Sequence, residues 1–153
     1  MRTVIFHVHL FKNAGTSVDA VLKRNFPDGW VTREFDGGRE ANAAGVAAWV
    51  AETPAASAYS SHTAMLPLPE VPDTRLIPMV FVRHPLDRIY SAYRFEVTQK
   101  VDGFGAELAK VTDFAGYVRV RLALPGDFAI RDFQARRLCG RPGLAGAALG
   151  EAA

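Results

Sequence analysis

The chain has little of what marks an extracellular or membrane-embedded protein. Its single cysteine, Cys139, cannot form an internal disulfide, which fits a reducing compartment. With no partner motif around it, the thiol reads as a small packing residue rather than a nucleophile. No apolar run approaches the roughly 18 residues of a membrane span. The opening MRTVIFHVHLF is too short and too punctuated by histidine for a signal peptide, and no small-residue cleavage site follows it. A cytoplasmic location is the expectation. One-sided charge is lacking too: a formal +2 with scattered basic residues argues against a nucleic-acid partner. Internal repeats are absent. The 153 residues suit one domain over 1–140, followed by a weakly anchored Gly/Ala-rich tail over 141–153.

What is present is an α/β alternation. Thr3–Leu10 is rich in β-branched and apolar residues, as a buried strand should be. From Val18 the apolar positions Val18, Val21, Leu22 and Phe26 recur at helical spacing, with Ser17 placed to cap them. Trp30–Phe35 and Ser57–His62 read as short strands. Residues 40–52 read as a helix with Val46, Trp49 and Val50 on one side and Pro54 beyond its end. Thr63–Thr74, with three prolines, reads as a loop. Arg75–Val82 is the second strong strand, although Pro78 removes one ladder donor.

Pro85 then opens a long helix whose stripe of Leu86, Ile89, Tyr90, Tyr93 and Val97 is expected to face the core. Asp87 and Arg88 read as first-turn dipole and surface partners. Gly103 and Gly105 break the helical pattern and leave 101–113 as a loop. Asp113 caps a helix through Leu124, and Phe128–Leu138 is a last amphipathic segment. Strands alternating with helices imply a mostly parallel sheet flanked by helices, with ligands outside the carboxyl ends of the strands.

Two segments at such strand ends carry chemistry. Between the first strand and helix lies Phe11-Lys12-Asn13-Ala14-Gly15-Thr16-Ser17. A lysine, a glycine and two hydroxyls before a helix N-terminus make a compact phosphate cradle. It is not the nucleotide-triphosphate P-loop, G-x-x-x-x-G-K-[ST], because Lys12 precedes Gly15. The second segment, Arg83-His84-Pro85-Leu86-Asp87-Arg88, places Ser91 in the second turn of the following helix. There it is expected to reach an anion held by the Arg83 guanidinium. Two separated grips suit one doubly phosphorylated ligand. His7 and His9 share a strand face, but no third metal ligand stands at a convincing spacing, so packing or positioning is the expectation for them.

HLFKNAGTSV resembles the H-x-P-K-T-G-G-T-[ST] phosphosulfate loop of carbohydrate sulfotransferases of the heparan sulfate 2-O- and 6-O-sulfotransferase type. VFVRHPLDRIYSAY resembles their F-x-R-[DN]-P-x-x-R-x-x-S-x-Y motif, and Asp132–Gly140 resembles their N-x-Q-T-R-x-L-x-G segment. The matches follow the family's order over residues 6–140. The resemblance implies a P-loop-like sulfotransferase fold. It also implies 3′-phosphoadenosine 5′-phosphosulfate (PAPS) as co-substrate, no metal, and a hydroxyl-bearing acceptor, in this family a carbohydrate. By position, Lys12, Asn13, Ala14, Gly15, Thr16 and Ser17 would bind the 5′ phosphosulfate. Arg83 and Ser91 would hold the 3′ phosphate, and Lys12 would stabilise the leaving charge. His62 falls where 2-O-sulfotransferase-like members carry their catalytic histidine, and it would act as general base. Phe11, Asn13 and Ala14 depart from the family's Pro, Thr and Gly, and His84 from its acidic residue. Family domains continue well beyond the third segment, so a C-terminally shortened member is implied. Two alternatives remain: a small-molecule P-loop kinase, and a module that binds PAPS or its desulfated product without transfer.

Overall fold

A computed structural model of the chain describes residues 1–139; Gly140 and the tail over 141–153 lie outside the described residues. The described residues fall into two compact units. One takes Met1–Val82 and the residues from Arg137, the other Arg83–Arg136.

The first unit is built on four parallel strands in the order β2-β3-β1-β4, namely β1 (Arg2–Val8), β2 (Trp30–Thr32), β3 (Ala58–Ser61) and β4 (Thr74–Met79). Two helices, α1 (Gly15–Asn25) and α2 (Arg39–Glu52), connect the first three strands. The period of two along β1 sorts its side chains onto opposite faces. Ile5 packs with Ala58, Met79 and the α1 residues Val18 and Leu22. Phe6, on the other face, meets Trp49 of α2 edge-on at 6.1 Å and stacks on Tyr59 at 5.9 Å. The expected α/β architecture with a parallel, helix-flanked sheet is therefore present. Pro78 sits inside β4, where it pairs only with β1; on an edge strand its missing N–H costs no ladder bond to a second neighbour.

Some expectations need correcting. The first helix starts at Gly15 rather than Val18, and Ala14, not Ser17, holds the N-cap position without a side-chain cap. Cys139 is exposed and does not serve as a packing residue. The strand expected over Arg75–Val82 stops at Met79.

The second unit is helical: α3 (Pro85–Thr98), α4 (Phe104–Val111) and α5 (Phe114–Ala123), with α6 (Phe133–Leu138) reaching its end. Pro85 opens α3 and Asp113 caps α5, accepting from Gly116 N at 2.7 Å, both as expected. The stretch 101–113 is not a loop, because α4 occupies most of it. The expected apolar stripe of α3 is rotated in part: Ile89 and Tyr93 pack against the Ala109, Tyr117 and Ile130 core as expected, whereas Leu86, Tyr90 and Val97 are exposed and Arg88 and Ala92 are buried. A polar network explains the rotation. Glu96 accepts from Tyr117 Oη at 2.7 Å and pairs with Arg121 at 3.2 Å, and Arg121 also pairs with Asp127 at 2.7 Å. These partners draw the Arg88–Ala92–Glu96 face of α3 inward, and the charges of Glu96, Arg121 and Asp127 match one another.

Candidate functional site

The carboxyl ends of β1, β3 and β2 share one edge of the sheet, because the strands are parallel and adjacent. From β1 the chain runs through His9 and Leu10 into the Lys12 loop. Lys12 and Ala14 both adopt left-handed backbone, with φ of 62° and 64°. Neither is glycine, so each residue carries a steric cost of roughly 1–2 kcal/mol for its Cβ in that region. Two tethers hold the turn: Asn13 N–H donates to Leu10 O at 3.2 Å, and Asn13 Nδ2 donates to Phe81 O at 2.8 Å.

Gly15 is needed for space. A Cβ there would lie 1.9 Å from His9 Cδ2 and 2.1 Å from His9 Nε2. The glycine thus makes room for the histidine, a role the loop sequence alone does not show. Ser17 N–H already donates to Ala14 O at 3.0 Å, which removes it as an anion donor. The amides of Ala14, Gly15 and Thr16 precede the first i→i+4 bond of α1, and the Thr16 and Ser17 side chains are exposed.

Behind the loop, Asp19 of α1 receives His7 Nδ1 at 2.8 Å, His9 Nδ1 at 2.9 Å and the Ser60 hydroxyl at 2.5 Å. The sequence shows no third group near His7 and His9, and the fold supplies one. The donor atoms of the three residues lie within 4.8 Å of one another, a set that could hold a metal ion. In this arrangement they hydrogen-bond one another, as in a positioning cluster. Burial pushes Asp19 upward, but bonds from Ser60 and His7 outweigh it and hold the carboxyl below its ordinary value. His9 is lowered by burial and then by the neighbouring His62, against the pull of Asp19.

His62 follows β3, its side chain 56% exposed and its ring stacked on His9 at 3.9 Å between centroids. Glu34, two residues beyond β2, accepts its Nδ1 at 2.7 Å. The same carboxylate accepts from the His62 and Thr63 amides, the Thr63 hydroxyl and the Ser61 hydroxyl. These bonds overcome the upward push of burial and hold Glu34 below its ordinary value. A carboxylate only accepts, so Nδ1 carries a proton, and in the neutral ring the lone pair then lies on Nε2. Arg137 donates to the His62 carbonyl at 2.5 Å. Lys12, Asn13, Ala14, Gly15, Thr16, Ser17 and His62 thus belong to one unit.

Arg83 and Ser91 belong to the other. Arg83 is exposed just before α3, and Ser91 is half-buried in its second turn. Gln134 grips the Arg83 backbone at both ends: its Oε1 accepts from Arg83 N–H and its Nε2 donates to Arg83 O, each at 2.8 Å. Arg88, expected at the surface, is buried. One Nη2 hydrogen donates to Ala129 O, and the guanidinium lies 4.4 Å from the Phe133 ring centroid.

Glu34, Asp19 and Arg137 are missing from the sequence reading. Asp19 had a signal, since it interrupts the helix face formed by Gly15, Val18 and Leu22. Glu34 had only its position after a short strand.

No family model matches the chain, and no solved structure does. It is similar to an uncharacterized protein of Archaeoglobus fulgidus, 44% identical over an alignment of 144 residues that covers 90% of this chain and 56% of that protein. The chain therefore spans little more than half the length of this relative. Among the described residues no helix is long and apolar enough to cross a membrane.

Proposed function

We propose that the chain is the nucleotide-binding part of a PAPS-dependent sulfotransferase with a P-loop-like sulfotransferase fold, acting on an acceptor hydroxyl of a carbohydrate. The observation that carries the reading is the Glu34–His62 dyad at the strand edge that also bears the Lys12 loop, with the His62 ring stacked on His9. A loop suited to an anion and a histidine held in the base tautomer are the two parts that sulfuryl transfer to a hydroxyl requires.

The first-turn amides of α1, the Thr16 and Ser17 hydroxyls and Lys12 fit the phosphosulfate. By the resemblance, Asn13 and Ala14 would complete its loop, and Arg83 with Ser91 would hold the 3′ phosphate. His62 Nε2 takes the acceptor proton while the hydroxyl oxygen bonds to sulfur. The bond from sulfur to the bridging phosphate oxygen breaks, and the electron pair leaves on the 5′ phosphate. Lys12 is best placed by type to stabilise that charge, which is greatest in the transition state. Glu34 orients the ring and balances the imidazolium that forms.

Titration with 3′-phosphoadenosine 5′-phosphate, followed by labelled-sulfate transfer to a panel of hydroxyl acceptors, tests the proposal. Lys12→Ala should lower turnover by roughly 10²-fold or more. Arg83→Ala should mainly weaken nucleotide binding, by about tenfold or more. Equal affinity for adenosine 5′-phosphosulfate with and without its 3′ phosphate would sink the two-grip assignment. Binding without transfer to any acceptor would identify a binding module instead.

A further inference from the structure

The helical unit contains a buried cation that has no ion-pair partner among the described residues; Glu96 acts on it only from beyond contact distance. Arg88 is only 1% exposed, and no carboxylate among the described residues lies within ion-pair distance of it. Its Nη1 has no hydrogen-bond partner. Nearby, the buried Nε of Arg131 also has none, although Arg131 Nη2 donates to Leu122 O. A buried guanidinium nitrogen left without an acceptor is costly, and a charge so buried is normally paired.

Both side chains line one cavity of about 490 Å³, within the usual range for small-molecule sites. Pro85, Leu122, Ile130 and Phe133 give it apolar walls, and Gln134 and Asp132 also line it. Asp132 is exposed and so remains hydrated, leaving two cations against one solvated carboxylate. None of Lys12, His62, Arg83 or Ser91 lines the cavity.

We infer that this cavity binds a small organic oxyanion, its head group drawn to the guanidinium charges of Arg88 and Arg131, which both line it, and its apolar body lying against Phe133, Leu122 and Ile130. Carboxylate, phosphate ester and sulfate ester share the required chemistry: planar or tetrahedral oxygens that accept charge-assisted bonds from guanidinium. The apolar walls select against a bare ion, since only an organic body gains from burying surface there. The inference does not depend on sulfuryl transfer.

The test follows arginine side-chain N–H resonances by NMR while the intact chain is titrated with benzoate, phenyl phosphate and inorganic phosphate. At least one organic probe should saturate, shifting the Arg131 Nε–H signal, with affinity about tenfold or more above inorganic phosphate. Arg131→Gln, with folding checked by circular dichroism, should weaken that probe about tenfold or more. Saturation by benzoate alone would assign a carboxylate; saturation by phenyl phosphate alone, an ester. Lack of saturation by both organic probes below about 10 mM overturns the inference. So does inorganic phosphate binding as well as the organic anions, or an Arg131→Gln chain that binds unchanged.

Discussion

Ala14 sits at φ 64° in the N-cap position, where the resembling family carries glycine. The Cβ costs roughly 1–2 kcal/mol there, and glycine's greater unfolded-state entropy takes back about 0.5–1. Ala14→Gly should therefore stabilise the chain by about 0.5–1 kcal/mol, read as a higher urea midpoint at unchanged slope. A lower midpoint would mean that the left-handed turn at Ala14 is wrong. Gly15 shows the opposite logic. It needs no unusual φ, and its value lies in the ring of His9, which occupies the space a side chain would take.

At the scale of elements, the connector between β4 and α3 is shaped by α6. Gln134 uses one amide to satisfy both backbone groups of Arg83, which fixes where that side chain departs. Gln134→Ala removes two hydrogen bonds at an exposed position and should cost about 1–2 kcal/mol locally. Hydrogen exchange at the Arg83 amide should then quicken about tenfold while the amides of β1 stay protected. Unchanged exchange at Arg83 would show that the connector is held by something else. The same segment shows why helix faces mislead. The spacing of Leu86, Tyr90 and Val97 is faultless as an amphipathic stripe, yet α3 buries Arg88 and sets Glu96 against Tyr117 and Arg121. Satisfying Glu96, Tyr117 and Arg121 outweighs burying a few apolar side chains, and Arg88 is carried inward on the same face.

Across the molecule, three acidic or imidazole groups titrate with the same sign. Asp19, Glu34 and His9 all have folded values below their ordinary ones. A depressed group contributes stability above its unfolded pKa, and that contribution is lost as pH falls through the folded value. Stability should thus decline in two windows, first below about 6.5 as His9 resists a proton that the unfolded chain accepts. The second window opens below the ordinary carboxylate values of 4.5 and 3.8, from Glu34 and Asp19. His9→Asn keeps a donor for Asp19 but cannot titrate, so it should flatten the first window and leave the second. Thermal melts from pH 8 to 3 measure both, and an identical slope near pH 6 in the variant would remove His9 as the cause.

Periodicity and turn chemistry were enough to locate β1, α2, the start of α3, the cap of α5 and the parallel sheet. Each rests on contacts or steric rules within a few residues. The Lys12 loop was legible for the same reason, and so was the exclusion of a lysine-after-glycine P-loop. The partners of that loop were not. Asp19 joins His7 and His9, and Glu34 turns His62 into an acceptor at Nε2, only because parallel strands bring the carboxyl ends of β1, β2 and β3 to one edge. Arg88 looked like a surface residue by its position in a first turn, and packing made it a buried cation. Local sequence chose the elements and placed the Lys12 loop before α1. Tertiary structure chose which polar groups had to find one another out of water, and in doing so pointed the His62 Nδ1 proton at Glu34 and left Arg88 without an ion-pair partner among the described residues.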